Sequence, residues 1–152
     1  MKTKTEILLE LWTESRTRFS NQLEQITEQD LQKKLGAAPN SVGFLIRHMG
    51  DVELLFAKNV FGNPEVKVVA KTVIDGRDTG LWTNFHELKD YVKLSFETLY
   101  DIVARQTDAD WETVISTKEF GTKTKAEAFG RIVSHTAYHA GQMAIVNKYG
   151  SV

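Results

Sequence analysis

The chain has 152 residues with four histidines and no cysteine, so thiolate is ruled out as a metal ligand and imidazole is the donor best suited to a borderline metal ion. His135 and His139 stand four positions apart in an apolar-periodic segment. On a helix that step puts both side chains on one face, about 6 Å apart at the backbone, within reach of one divalent ion. Phe129, Ile132, Val133, Ala137, Ala140 and Ala144 surround the pair, which brings part of the histidine face close to a core. Two buried imidazoles without partners are costly, and a metal would satisfy one nitrogen on each. His48 precedes the apolar Met49 in a second amphipathic segment and is the candidate third ligand from a facing helix. Three neutral imidazoles leave one open position for water or substrate, as in catalytic zinc sites. Such donors suit Zn²⁺ or Ni²⁺ better than Mg²⁺ or Ca²⁺. Spacing alone also admits three unrelated polar histidines.

Two carboxylates follow His48 closely, Asp51 and Glu53. They are the candidate catalytic residues: Asp51 is placed to orient an imidazole or accept a proton, against the plainer reading of a solvated surface carboxylate. His86 falls among the capping residues of a later helix and reads as an exposed histidine or as a group at a pocket mouth. Tyr138 lies about 100° around the helix from its neighbours and serves equally as a packing aromatic.

Four segments must position these groups. The first runs from Thr5 to Ile26, with Leu8, Leu11, Trp12, Phe19 and Leu23 on one stripe and Glu10, Glu14, Arg16 and Arg18 largely opposite. A short turn follows at Thr27–Leu35. The second opens at Asn40 or Ser41, runs to Val60 and stops at Gly62-Asn63-Pro64. Residues 65–82 alternate weakly and read as a long crossover with an extended stretch, which lets the next helix run parallel to the one before. Asn84 and Glu87 have capping spacing for a third helix carrying Leu88, Val92, Phe96, Leu99 and Val103 inward. Residues 108–121 read as a loop that tucks Trp111 and Phe120 against the bundle edge. Thr124 and Glu127 cap a last helix that ends near Tyr149. One-sided stripes on four long helices predict an all-α four-helix bundle, one domain over residues 1–152.

Two stretches carry a family resemblance. Ser41-Val42-Gly43-Phe44-Leu45-Ile46-Arg47-His48-Met49-Gly50-Asp51-Val52-Glu53 resembles the second-helix signature of the DinB/YfiT-like superfamily, and His135-Thr136-Ala137-Tyr138-His139-Ala140-Gly141-Gln142 resembles its last-helix signature. The likeness extends along the chain through the long link after the second helix and the tryptophan-bearing loop before the last. It implies an up-down-down-up bundle, commonly dimeric, with a divalent metal on His48, His135 and His139. It further implies a metal-dependent enzyme that uses a low-mass thiol, either transferring it to an electrophile or isomerising a substrate with its help, transfer being the reading adopted. A metal-dependent hydrolase and a non-catalytic metal or small-ligand binding protein are the alternatives. Phe56, Phe61, Trp82 and Trp111 are candidate contributors to a homodimer.

Composition narrows the rest. Without cysteine there is no disulfide scaffold, thiol nucleophile or zinc-thiolate site. A net charge of −1 supplies no positive field for nucleic acid. The charged N-terminal residues and the lack of any apolar run of spanning length lead us to expect no membrane partner, a cytoplasmic location and a small-molecule substrate.

Overall fold

A capping box at Thr3 opens α1 (Lys4–Leu23): the Thr3 hydroxyl accepts from the Glu6 amide, and the Glu6 carboxylate accepts from the Thr3 amide. The computed structural model describes residues 1–152. Ser41 caps α2 (Val42–Leu55), whose last turn widens into a π-turn at Phe56–Val60. The crossover that follows contains a one-turn helix, α3 (Lys71–Ile74). Asn84 accepts from the Glu87 amide at the start of α4 (Phe85–Ala104). The segment before the last helix forms a 3-10 turn at Asp110–Glu112 and an antiparallel hairpin, β1 (Val114–Thr117) with β2 (Gly121–Thr124). Thr124 and Glu127 then close the capping box of α5 (Lys125–Tyr149).

Side-chain contacts establish the helix directions. Ser15 donates to the Val133 carbonyl and Gln22 to that of Ala140, so α1 and α5 run parallel. Tyr91 and Ser95 reach Asp51 and Glu53 in the same order, so α2 and α4 are parallel too. Trp12 against Phe96 and Arg16 against Val92 make α1 and α4 antiparallel. The long crossover permits the parallel α2–α4 pair, and a close approach secures it. A Cβ on Gly43 would lie 2.0 Å from the Trp82 carbonyl oxygen, so only glycine lets the end of the crossover lie on α2.

The four long helices do not make a plain all-α bundle. The molecule has five helices and a β-hairpin. Residues 108–121 are therefore not a simple loop: Trp111 is fully buried and donates to the Thr5 hydroxyl, while the hairpin exposes Val114. The crossover is likewise not merely extended, because α3 interrupts it.

The core falls into two apolar clusters. One gathers Trp12, Phe61, Leu99, Trp111, Phe129 and Ile132; the other holds Phe19, Leu31, Leu45, Met49, Val92 and Met143. Arg16, Glu53 and Ser95 lie between them along α1, α2 and α4, all buried. Arg16 Nε donates to Glu53 Oε1 at 2.7 Å, a terminal nitrogen of Arg16 donates to the Val92 carbonyl, and Ser95 donates to Glu53 Oε2 at 2.6 Å. Arg16 thus belongs to the interior and not to the solvent face that its charge suggests. Phe56, Phe61 and Trp111 are also buried within the chain, which leaves them little surface to offer a second copy, while Trp82 is half-buried beneath the Arg47 guanidinium. No helix is long and apolar enough to cross a membrane.

Candidate metal centre

His48 comes from α2 and His135 and His139 from α5. Because these helices pack antiparallel at this level, one ring nitrogen from each of the three lies within 4.8 Å of the other two. The Nε2 atoms of His48 and His135 are 3.1 Å apart. The His139 ring lies edge-on to both, with centroids 4.8 Å from His48 and 4.3 Å from His135. Phe44 stacks on His48 at 5.7 Å with ring planes 7° apart, which limits that imidazole's rotation from one side.

Burial pushes the histidines toward the neutral form: His48 down to about 4, His135 to about 3, and His139 also below its ordinary value. Each ring therefore offers a lone pair near neutral pH. His139 Nδ1 lies 2.6 Å from Gln142 Oε1. That carbonyl oxygen only accepts, so Nδ1 carries the proton and Nε2 is bare. His135 Nδ1 is buried with no hydrogen-bond partner. A close set of neutral, half-buried imidazoles with converging nitrogens fits a divalent transition-metal ion. A His-based site able to coordinate such an ion is present.

The other candidates are placed elsewhere. Asp51 is 0% exposed, and its two oxygens accept from Tyr91 Oη (2.6 Å), Arg47 Nε (2.9 Å), Thr72 N (3.0 Å) and Thr72 Oγ1 (2.8 Å). It touches the histidine centre only through Thr72, whose Oγ1 lies 3.0 Å from His48 Nδ1. Burial, with Asp51 beside it, holds the Tyr91 phenol above its ordinary range and keeps it a donor. Glu53 faces α1 and α4 in the ion pair with Arg16 and is not brought to the histidines. His86 is 82% exposed at its side chain, 3.6 Å from Asp90, and is absent from both the histidine cluster and the adjoining cavity.

That cavity, of about 480 Å³, opens directly over the three histidines. Val52, Leu55, Phe56 and Val73 form its apolar wall, and Glu119, Arg131 and Tyr138 supply polar groups. Tyr138 is 63% exposed and not a packing aromatic; its oxygen accepts from Gln142 Nε2. Arg131 and Tyr138 share the helix face of His135, at steps of four and three. That spacing was a usable signal for them. Thr72 on α3 and Glu119 on the hairpin carried none.

Fold and site together define a class: a helical-bundle protein with a three-histidine centre at the floor of an apolar pocket. The sequence profile of the DinB superfamily matches residues 6–143, a span that contains all three histidines, and the chain belongs to that superfamily. No curated protein matches the chain.

Proposed function

We propose that the chain is a metal-dependent enzyme that transfers a low-mass thiol to an electrophilic substrate, with Zn²⁺ or Ni²⁺ held by His48, His135 and His139. The observation that carries this reading is the convergence of three neutral imidazoles beneath a cavity of about 480 Å³ with a largely apolar wall. A divalent ion there supplies Lewis acidity and lowers the pKa of a thiol or water placed at the open position. In the transfer, the thiol gives its proton to solvent water, the sulfur–carbon bond forms, and the leaving group departs with the electron pair of the bond that breaks. Val52, Leu55, Phe56 and Val73 exclude water from one side of the reacting atoms, and Arg131 offers a cation to an anionic substrate group. The protein's lack of cysteine is compatible with sulfur arriving on a small molecule.

Hydrolysis is the second reading. Glu119 supports it as the one carboxylate lining the cavity, because water needs a proton acceptor that a readily ionised thiol does not. Self-association as a homodimer belongs to the same proposal. Exposed apolar side chains at Leu11, Ile145 and Tyr149 support it, and light scattering across micromolar concentrations tests it.

The functional experiment incubates zinc- or nickel-loaded protein with a panel of low-mass thiols and electrophiles and follows thiol loss. Metal-dependent consumption of thiol together with electrophile supports transfer. Electrophile breakdown without thiol assigns a hydrolase. Ligand binding without turnover across the panel replaces the enzyme reading with a binding role.

A further inference from the structure

The crossover from α2 to α4 does more than join them. Its one-turn helix α3 places Thr72 against the ring nitrogen of His48 that faces away from the other histidines. The hydroxyl has one proton and two lone pairs. Asp51 Oδ2, a carboxylate oxygen that accepts, lies 2.8 Å from Thr72 Oγ1 and takes that proton. Only lone pairs then remain for His48, so the bond at 3.0 Å requires His48 Nδ1 to donate. The carboxylate cannot turn away, because Arg47 Nε and Tyr91 Oη both donate to its other oxygen. The Thr72 amide also donates to Asp51 Oδ2, which locks the first turn of α3 onto α2. Thr72 is 3% exposed and Asp51 0%, so water does not compete for these bonds.

We propose that Thr72, backed by Asp51, is a positioning residue that holds His48 in the Nδ1-protonated tautomer and aims its bare Nε2 at the metal centre. The inference rests on the metal reading above for its purpose, but not for its geometry. Gln142 does the same for His139 from within α5. The centre therefore has one orienting acceptor from its own helix and one delivered by the crossover, while His135 has none. Outer-shell partners of this kind fix ring orientation and raise ligand basicity. The conformation of the crossover is thereby coupled to the readiness of the site: displacing α3 frees the His48 ring.

The test uses the whole chain, ¹⁵N-labelled and stripped of metal, with long-range proton–nitrogen spectra of the imidazoles. Wild type is expected to show His48 Nδ1 protonated and Nε2 bare. A wild-type spectrum with Nδ1 bare overturns the proposal without any variant. Thr72→Val should lose the tautomer preference and weaken Zn²⁺ binding, read by competition with a chelator, by about 10–100-fold. Thr72→Ser, which keeps the hydroxyl, should restore both. Folded Thr72→Val with unchanged tautomer and unchanged Zn²⁺ affinity overturns the assignment. His48→Ala with wild-type Zn²⁺ affinity would instead sink the metal reading, since the tautomer spectra are taken without metal.

Discussion

His48 Nε2 and His135 Nε2 lie 3.1 Å apart although 87 residues separate them in the chain. Two imidazole nitrogens this close share a proton or a cation: with both rings neutral, the N–H of His135 donates to the bare Nε2 of His48, and a divalent ion would take the place of that proton. The pair marks where two of the three ring nitrogens converge.

Alanine at His48, His135 or His139 should weaken Zn²⁺ or Ni²⁺ binding by more than about 100-fold, beyond the loss typical of outer-shell changes. His86→Ala, at an exposed position away from the cluster, should bind as wild type does. Titration after chelator stripping, with metal content by mass spectrometry, checks this. Equal affinity in wild type, His135→Ala and His139→Ala would refute the three-histidine centre.

Acid should destabilise the metal-free protein through the same groups. His48 at about 4 and His135 at about 3 lie below the roughly 6.5 of an unfolded chain. Between those values the unfolded state binds more protons, so this contribution is fully present above about pH 6.5. It is lost as pH falls toward 4 and then 3. After allowing for water that reaches the half-open site, the loss should be on the order of 2–4 kcal/mol. Urea melts at pH 7.5 and 4.5 measure it, and a His48→Gln/His135→Gln variant should show a visibly flatter dependence.

Glu53 should prove structural. Removing one partner of its buried pair with Arg16 leaves the other charge unsatisfied, so Glu53→Ala or Arg16→Ala should cost about 3–5 kcal/mol. Zn²⁺ affinity of the folded fraction should not change, because the pair faces α1 and α4. A specific loss of metal binding in stably folded Glu53→Ala would return Glu53 to the site.

Core truncations should rank by burial. Leu45 is 1% exposed in the cluster around Met49, and Leu45→Ala should cost about 2–5 kcal/mol. Phe96 and Val133 are half-buried against the other cluster. Val133→Ala removes little volume and should cost only about 1 kcal/mol, with Phe96→Ala above it. Denaturant melts that rank Val133→Ala first would show that the buried faces are misassigned.

Features set by neighbours along the chain were legible in the sequence. The four-residue step of His135 and His139 fixes a shared face because a helix turns every 3.6 residues. Ser41, Asn84 and Thr124 declare helix starts because their side chains bond amides three residues on. The stripe through Leu88, Val92, Leu99 and Val103 declares a buried face by period alone. The two ordered histidine signatures pointed to the superfamily that the chain belongs to.

Contacts across long separations were decided only by tertiary structure. Arg16 and Glu53 each look like surface charges in their own helices, and they become a buried pair only because α1 and α2, diagonal to each other in the bundle, both point these side chains into its interior, 37 positions apart in the chain. Thr72 lies in a stretch whose weak alternation suggests only an extended crossover, yet the fold sets it between His48 and Asp51, 24 and 21 positions away. The hairpin of β1 and β2, four residues in each strand, is too short to announce itself by alternation. Helical period and capping are local, so four consecutive residues can encode them. Which two side chains share a proton or a charge depends on helix direction and packing, and those are properties of the whole chain.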